Sequence, residues 1–352
     1  MVKKALEKLG VRTLTELLGV DIGTTSIKMC LLKKTKEGFK LQKYAKKTYE
    51  QDLLHDGTIV DRAFVAGELK HLLQEQGVKV KAAATALSSY TVITKRVAMP
   101  LLDKEALEQS ISLEVESVIP YPLRDIYYNY YVMGTDDEKE TTMSLLIVAA
   151  KKEIVDAYMN VFKLAGLNLL ILDVDVFAIT NLIERVHGHQ QFSVVAADIG
   201  ASVTNIAILK GESIEFTREI LIGGRYLTNE IAKIHKITRG EAEEKKLSAE
   251  GDVRELFDDF IGNVSSEINK TVNFYIATKP RETVGKIYLT GGSSLVPGLK
   301  ERIEKETGIG VEFLDPSTFL VHDDKSVNVD EHDRSFVPVS LYLSSRVSDL
   351  EP

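Results

Sequence analysis

One short pattern occurs twice. Asp21-Ile22-Gly23-Thr24-Thr25-Ser26-Ile27-Lys28 follows the apolar entry Leu17-Leu18-Gly19-Val20 and runs on into Met29-Cys30-Leu31-Leu32. Asp198-Ile199-Gly200-Ala201-Ser202-Val203-Thr204-Asn205 aligns with it without a gap, behind Phe192-Ser193-Val194-Val195-Ala196-Ala197, and continues as Ile206-Ala207-Ile208-Leu209. Each copy reads as strand, tight glycine-bearing turn, strand. The turn offers a carboxylate, backbone N–H groups and nearby hydroxyls. Those parts hold a phosphate chain: N–H and hydroxyl groups meet the oxygens, and the carboxylate holds magnesium directly or through water. A lone Asp-x-Gly is common in plain hairpin turns. Two copies are too few for a solenoid, and they suit two similar domains that face each other.

A third element follows the second copy. Ile287-Tyr288-Leu289-Thr290 reads as a strand, Gly291-Gly292-Ser293-Ser294 as a turn, and residues 299–306 as a helix. Gly-Gly between strand and helix lets backbone approach a flat ligand closely. Gly223-Gly224, just before a helix over 226–236, could add phosphate contacts in the same way or be a tight turn.

These residues resemble the nucleotide-binding superfamily of actin, Hsp70, FtsA and the sugar kinases. The stretch from Asp21 to Lys28 is similar to its first phosphate motif, that from Asp198 to Thr204 to its second, and that from Leu289 to Gly298 to its adenosine motif. The resemblance implies an α/β, actin-like (ribonuclease H-like) fold of two lobes with ATP and Mg2+ between them. Asp21 and Asp198 would hold magnesium and its waters. Gly23, Thr24, Thr25, Ser26, Gly200, Ala201, Ser202 and Thr204 would surround the phosphates, with Lys28 offsetting their charge. Gly291, Gly292 and Ser293 would flank the adenosine, and Glu267 and Lys270 are ribose or base candidates. Asp175 stands where many members place a Glu that orders a metal-bound water, so the carboxylate is kept but shortened by one methylene. At most slow ATP hydrolysis is expected.

The 352 residues suffice for two domains with real cores. No run approaches the roughly 20 apolar residues of a membrane span, and charges at Glu7, Arg12 and Glu16 interrupt any signal-peptide core. Cys30 is the single cysteine, which excludes an internal disulfide and argues for a reducing compartment. The net charge is −8, yet residues 1–47 hold twelve Lys and Arg against four Asp and Glu. That basic end could meet acidic lipid or an acidic partner; its lysines are spread along strands, which favours a solvated face. Nothing interleaves aromatics with basic residues as nucleic-acid binding requires.

Helical spacing of apolar residues over 2–18 predicts an amphipathic segment, set apart as 1–18. Strands are expected at 27–34, 39–48, 82–87 and 92–98, with a helix at 61–76 between them. A helix capped by Asp103 follows, stopped at Ile119-Pro120-Tyr121-Pro122. The tyrosine-rich strand 126–133, a strand at 143–150 and a helix at 151–165 complete a small α+β unit over 82–165. Beyond it come a strand at 167–172, a helix at 173–184, the second hairpin, a third strand at 212–218, a charged helix from Thr238, a long helix at 253–278 and a closing helix within 335–347.

The position of the 82–165 unit is like that of FtsA, whose extra subdomain lies on the first domain. The passage Glu116-Ser117-Val118-Ile119-Pro120-Tyr121-Pro122-Leu123-Arg124-Asp125 resembles the PilM family of type IV pilus assembly proteins, as do the stretches 241–246, 267–275 and 311–316. By that resemblance, 19–81 with 166–190 and 335–352 form the first lobe and 82–165 an FtsA-type insertion. Residues 191–230 with 285–334 form the second lobe, and 231–284 a helical subdomain. The family implies a cytoplasmic protein, peripheral at the inner membrane of a pilus or type II secretion machine. It would bind the N-terminal cytoplasmic tail of PilN in a groove beside the small subdomain and meet other platform proteins. Membrane contact would come only through the partner, and homo-oligomerisation stays open. Departures are Asp315, where the family usually has Asn, and the polar tract 322–334 with Pro338. An FtsA-like division protein would want a C-terminal amphipathic anchor, whereas residues 344–352 are short and acidic. A sugar-kinase-type phosphotransferase would need a base placed for a substrate hydroxyl.

Overall fold

A computed structural model describes residues 14–135, 141–211, 213–248, 254–321, 327, 329 and 332–350. The chain opens with β1 (Glu16–Ile22), β2 (Ser26–Lys34) and β3 (Phe39–Thr48), an antiparallel meander. The expected amphipathic helix over 2–18 lies mostly outside the described residues, and its last part is strand: Leu17 and Leu18 are fully buried in β1. A short hairpin follows, β4 (Leu54–His55) with β5 (Thr58–Ile59). Helix α1 (Arg62–Glu75) starts where Asp61 accepts the Phe64 N–H, and buries Val65, Leu69, Leu72 and Leu73.

Next come β6 (Ala82–Leu87), β7 (Val92–Pro100), α2 (Lys104–Val118), β8 (Ile126–Thr135), β9 (Thr142–Lys151), α3 (Lys152–Leu164) and β10 (Asn168–Val174). The first sheet has the order β10-β6-β1-β2-β3, with β6 parallel to both neighbours. Ala82, Ala83, Ala84 and Ala86 are buried because both sheet faces are covered, as a parallel strand requires. This corrects the expected 82–165 boundary. Strand β6 belongs to the first sheet, and α3 packs into the core beneath it through Tyr158, Val161 and Phe162. The separate unit is β7, α2, β8 and β9, a three-stranded sheet ordered β7-β9-β8 with its own core around Leu107, Ile111, Val115, Leu145 and Ile147.

Helix α4 (Asp175–His187) leads to β11 (Ser193–Ile199), β12 (Thr204–Lys210) and β13 (Ser213–Ile220), again an antiparallel meander. The helix expected from residue 173 begins two residues later, because Asp173 and Val174 still pair with β6. Then come α5 (Arg225–His235), α6 (Arg239–Ser248), α7 (Arg254–Thr278), β14 (Val284–Thr290), α8 (Leu299–Thr307), β15 (Val311–Phe313) and α9 (Pro338–Ser345). The second sheet, β13-β12-β11-β14-β15, repeats the first: a meander, then parallel strands. Phe260, Val264, Ile268 and Val272 of α7 share one core with β11, β12 and β14, so α7 is part of the second lobe rather than of a separate 231–284 subdomain. Pro338 sits in the first turn of α9, the helix position that tolerates it.

Candidate nucleotide cleft

The two hairpins face each other. Asp21 ends β1, and its carboxylate accepts from Lys28 Nζ at 2.8 Å. Asp198 ends β11 at the matching place. Asp175 opens α4 between them; its Oδ1 accepts the N–H groups of Ser89 at 2.9 Å and Val176 at 2.6 Å. Burial, then the negative charge of Asp198, push Asp175 up to about 7. Burial, then Asp21, push Asp198 up to about 6, with Lys28 pulling the other way. Asp21, Asp175 and Asp198 therefore lie near one another as an acidic floor, with Lys28 beside Asp21 and Asp198. Among the described residues no three His, Cys, Asp or Glu side chains converge as a ligand set for a metal ion. Tyr158 lies beneath, its buried hydroxyl unpartnered and its titration pushed up by burial and by Asp175 and Asp21.

The glycine-bearing turns close on themselves. Gly23 N–H donates to Ser26 O at 2.9 Å, and Gly200 N–H to Val203 O at 3.0 Å. In both copies the glycine N–H thus shapes the turn. The Thr24 and Thr25 carbonyls accept from Leu53 and Tyr49 N–H, which straps the first turn to the chain after β3. Thr204 departs from its expected phosphate role: it is fully buried and its hydroxyl donates to Ile222 O at 2.8 Å. Ser202 fits a phosphate well, because its hydroxyl is buried without a partner.

The glycine-rich turns stack on the second hairpin. Gly224 N–H donates to Gly200 O at 3.0 Å, Arg225 N–H to Ala201 O at 2.7 Å and Ser293 Oγ to Gly200 O at 2.9 Å. A Cβ on Gly224 would overlap Ser293 Oγ, and one on Gly291 would overlap Asp198 Oδ1. Gly292 packs against the Phe336 ring in the same close manner. The structure thus places Asp21, Lys28, Asp175 and Asp198 near one another and packs Gly223, Gly224, Gly291 and Ser293 against the second hairpin.

Glu267 and Lys270 are not among these. They pair with each other at 2.7 Å along α7, and Glu267 also binds Arg218 of β13, which ties α7 to the sheet. In their stead stands Lys246 of α6, only 2% exposed, bonded to Glu243 at 2.6 Å and Thr228 at 3.1 Å beneath Gly224. The sequence signal was a Lys three residues after a Glu on the second helix past the Gly223-Gly224 turn. Across the mouth, Asp52 pairs with Arg225, and Glu50 accepts from Gly240 N–H at 3.0 Å.

A second opening of about 270 Å³ lies where the small sheet meets the first lobe. Thr58, Tyr90, Ile93, Tyr121, Lys151 and Ile154 are among its walls. Lys151 Nζ lies 4.9 Å from the Tyr121 ring centre.

No helix among the described residues is long and apolar enough to cross a membrane. The cell division protein FtsA of Streptococcus pneumoniae serotype 2 is 23% identical over 349 residues, spanning 85% of this chain and 75% of that protein. The solved PilM-PilN type IV pilus biogenesis complex superposes with a TM-score of 0.83 at 24% identity, covering 96% of this chain and 99% of that one. MreB5 of Spiroplasma citri bound to AMPPNP superposes with a TM-score of 0.54 at 12% identity, covering 96% and 97%. The fold is the actin-like ATPase fold, two lobes with an inserted small sheet. A family model described as type IV pilus assembly protein PilM matches residues 19–337, and the chain belongs to that family.

Proposed function

We propose that this protein is a nucleotide-dependent adaptor of a type IV pilus assembly platform. It binds Mg-ATP in the cleft and the cytoplasmic N-terminal tail of PilN in the groove beside the small sheet. The observation that supports the nucleotide reading is the closeness of the aspartates of two Asp-x-Gly hairpins, with the Gly291-Gly292 turn and the unpartnered hydroxyl of Ser202 at the second. Asp21 and Asp198 would hold magnesium through water, and Asp175 would orient a water. Ser202 and the residues after Gly23 would meet phosphate oxygens, with Lys28 beside them. Gly224, Gly291 and Ser293 would flank a flat base, with Lys246 as a cation beneath Gly224. The bound cation would supply charge neutralisation for the phosphates.

For the groove, tyrosine rings and the Lys151 stem suit an extended apolar segment held by side-chain pockets. A tail of a membrane protein bound there would keep this chain on the cytoplasmic side, peripheral to the membrane.

The test is calorimetry with a peptide copied from the N-terminal tail of the cognate PilN, with and without Mg-ATP. Saturable 1:1 binding is expected. Absence of binding in both states, with the protein folded and ATP-competent, would remove the adaptor reading and favour an FtsA-like assembly role.

A further inference from the structure

One three-residue turn touches both the cleft and the groove. Residues Ser89–Thr91 form a 3-10 turn between β6 and β7. The N–H of Ser89 donates to Asp175 Oδ1 at 2.9 Å, and its hydroxyl donates to Glu219 Oε1 of the second lobe at 2.7 Å. The next two residues, Tyr90 and Thr91, form part of the groove wall. The turn is backed by the tip of the β4–β5 hairpin, where Gly57 has φ +70° and a Cβ would meet Thr91 Cγ2 at 2.6 Å. Asp56 and Thr58, on either side of Gly57, line the same groove. Tyr90 and Thr91 thus share one tight turn with Ser89.

Behind Ser89 lies a cavity of about 200 Å³, walled by Ser89, Thr94, Asn205, Arg218 and Glu219 among others. Asn205 is buried, donates to Asp175 Oδ2 at 3.4 Å, and keeps its Oδ1 unpartnered. The Ser89–Glu219 bond therefore spans the two lobes beside open space.

We propose that Ser89 is a positioning residue that couples the groove to the nucleotide cleft through its bond to Glu219. This rests on the reading that the groove takes a peptide and the cleft a nucleotide. A nucleotide held between the lobes fixes Glu219 relative to Ser89, the bond presets Tyr90 and Thr91, and a peptide then meets a formed wall. The coupling is reciprocal, since each ligand favours the same arrangement.

The experiment measures the affinity of the full chain for the PilN-tail peptide with and without Mg-ATP, in wild type and variants. One hydrogen bond is worth roughly 2- to 12-fold in an equilibrium constant. The peptide is expected to bind that much tighter with Mg-ATP in wild type. The ratio falls to about one in S89A and E219A, falls no further in the double variant, and returns in S89T. A uniform loss of either affinity does not move this ratio, so a merely structural effect is separated. Both ligands binding to wild type with a ratio of one would overturn the coupling alone, as would S89A retaining the wild-type ratio. A wild type that binds ATP but no peptide would overturn the groove reading and the coupling with it.

Discussion

Asp21 and Lys28 stand directly opposite each other across the β1–β2 ladder, and their side chains close an ion pair of 2.8 Å. Both are mostly shielded, at 19% and 12% exposure. The hairpin therefore carries its own counter-charge to the cleft floor, where Asp21 and Asp198 repel one another. Lys28→Met leaves Asp21 without that partner and is expected to lower stability by roughly 1–3 kcal/mol, measured by urea denaturation. Adding Asp21→Asn should recover most of the loss. An unchanged midpoint in Lys28→Met would mean that water already serves Asp21.

The aspartate floor also sets a pH dependence. Asp175 and Asp198 are raised to about 7 and about 6 by burial first and by neighbouring carboxylates second. Unfolded aspartates titrate near about 4. Between these values the folded chain binds more protons than the unfolded chain, so stability falls as pH rises from about 4 to about 7 and levels off above. Asp175→Asn should flatten the upper part of that fall, by more than about 1 kcal/mol between pH 5 and 8. Nucleotide-free denaturation at pH 5, 6, 7 and 8 checks it; equal slopes in the two proteins would count against the buried-carboxylate account. Conversely, magnesium-dependent ATP affinity should weaken below about pH 6, as Asp198 takes up a proton, and Asp198→Asn should abolish that dependence.

What was legible in the sequence was local. The Asp21 and Asp198 turns sit between short apolar runs, and β3 occupies the very residues, 39–48, expected of it. What was not legible depended on pairing at a distance. Ala82–Leu87 could be read as a strand, but only its parallel partners Leu18 and Leu169 put it in the first sheet. Glu267 and Lys270 have the chemistry of a ribose contact, yet Arg218, far away in sequence, claims Glu267. Ser89 carried no signal, because a serine in a turn is ordinary until Asp175 and Glu219 close on it.

Gly291 tests the adenosine turn. Its φ of +82° lies in the left-handed region, and a Cβ would overlap Asp198 Oδ1 and Ile199 O. Gly291→Ala adds backbone strain to a clash with unyielding backbone, and is expected to cost roughly 2–4 kcal/mol. The displaced Asp198 should lower ATP affinity beyond the loss of folded protein, which equilibrium dialysis on the folded fraction would detect. Full affinity in the folded fraction would show that the turn adjusts without disturbing the floor.

Lys246 separates support from recognition. Burial lowers its tendency to hold a proton, and the adjacent Glu243 offsets only part of that. Removing one member of a buried ion pair is costly when the other charge is left buried, but Glu243 is 45% exposed and keeps water as a partner. Lys246→Met should therefore stay within about 1 kcal/mol of wild type. Glu243→Ala strips the cation of its carboxylate and should destabilise by roughly 1–3 kcal/mol. If Lys246 meets the nucleotide, Lys246→Met loses tenfold or more in ATP affinity despite its stable fold. If Lys246 only ties α6 to Thr228, stability falls and affinity per folded molecule holds. The two readouts move in opposite senses, so paired denaturation and calorimetry on this single variant decide the role of Lys246.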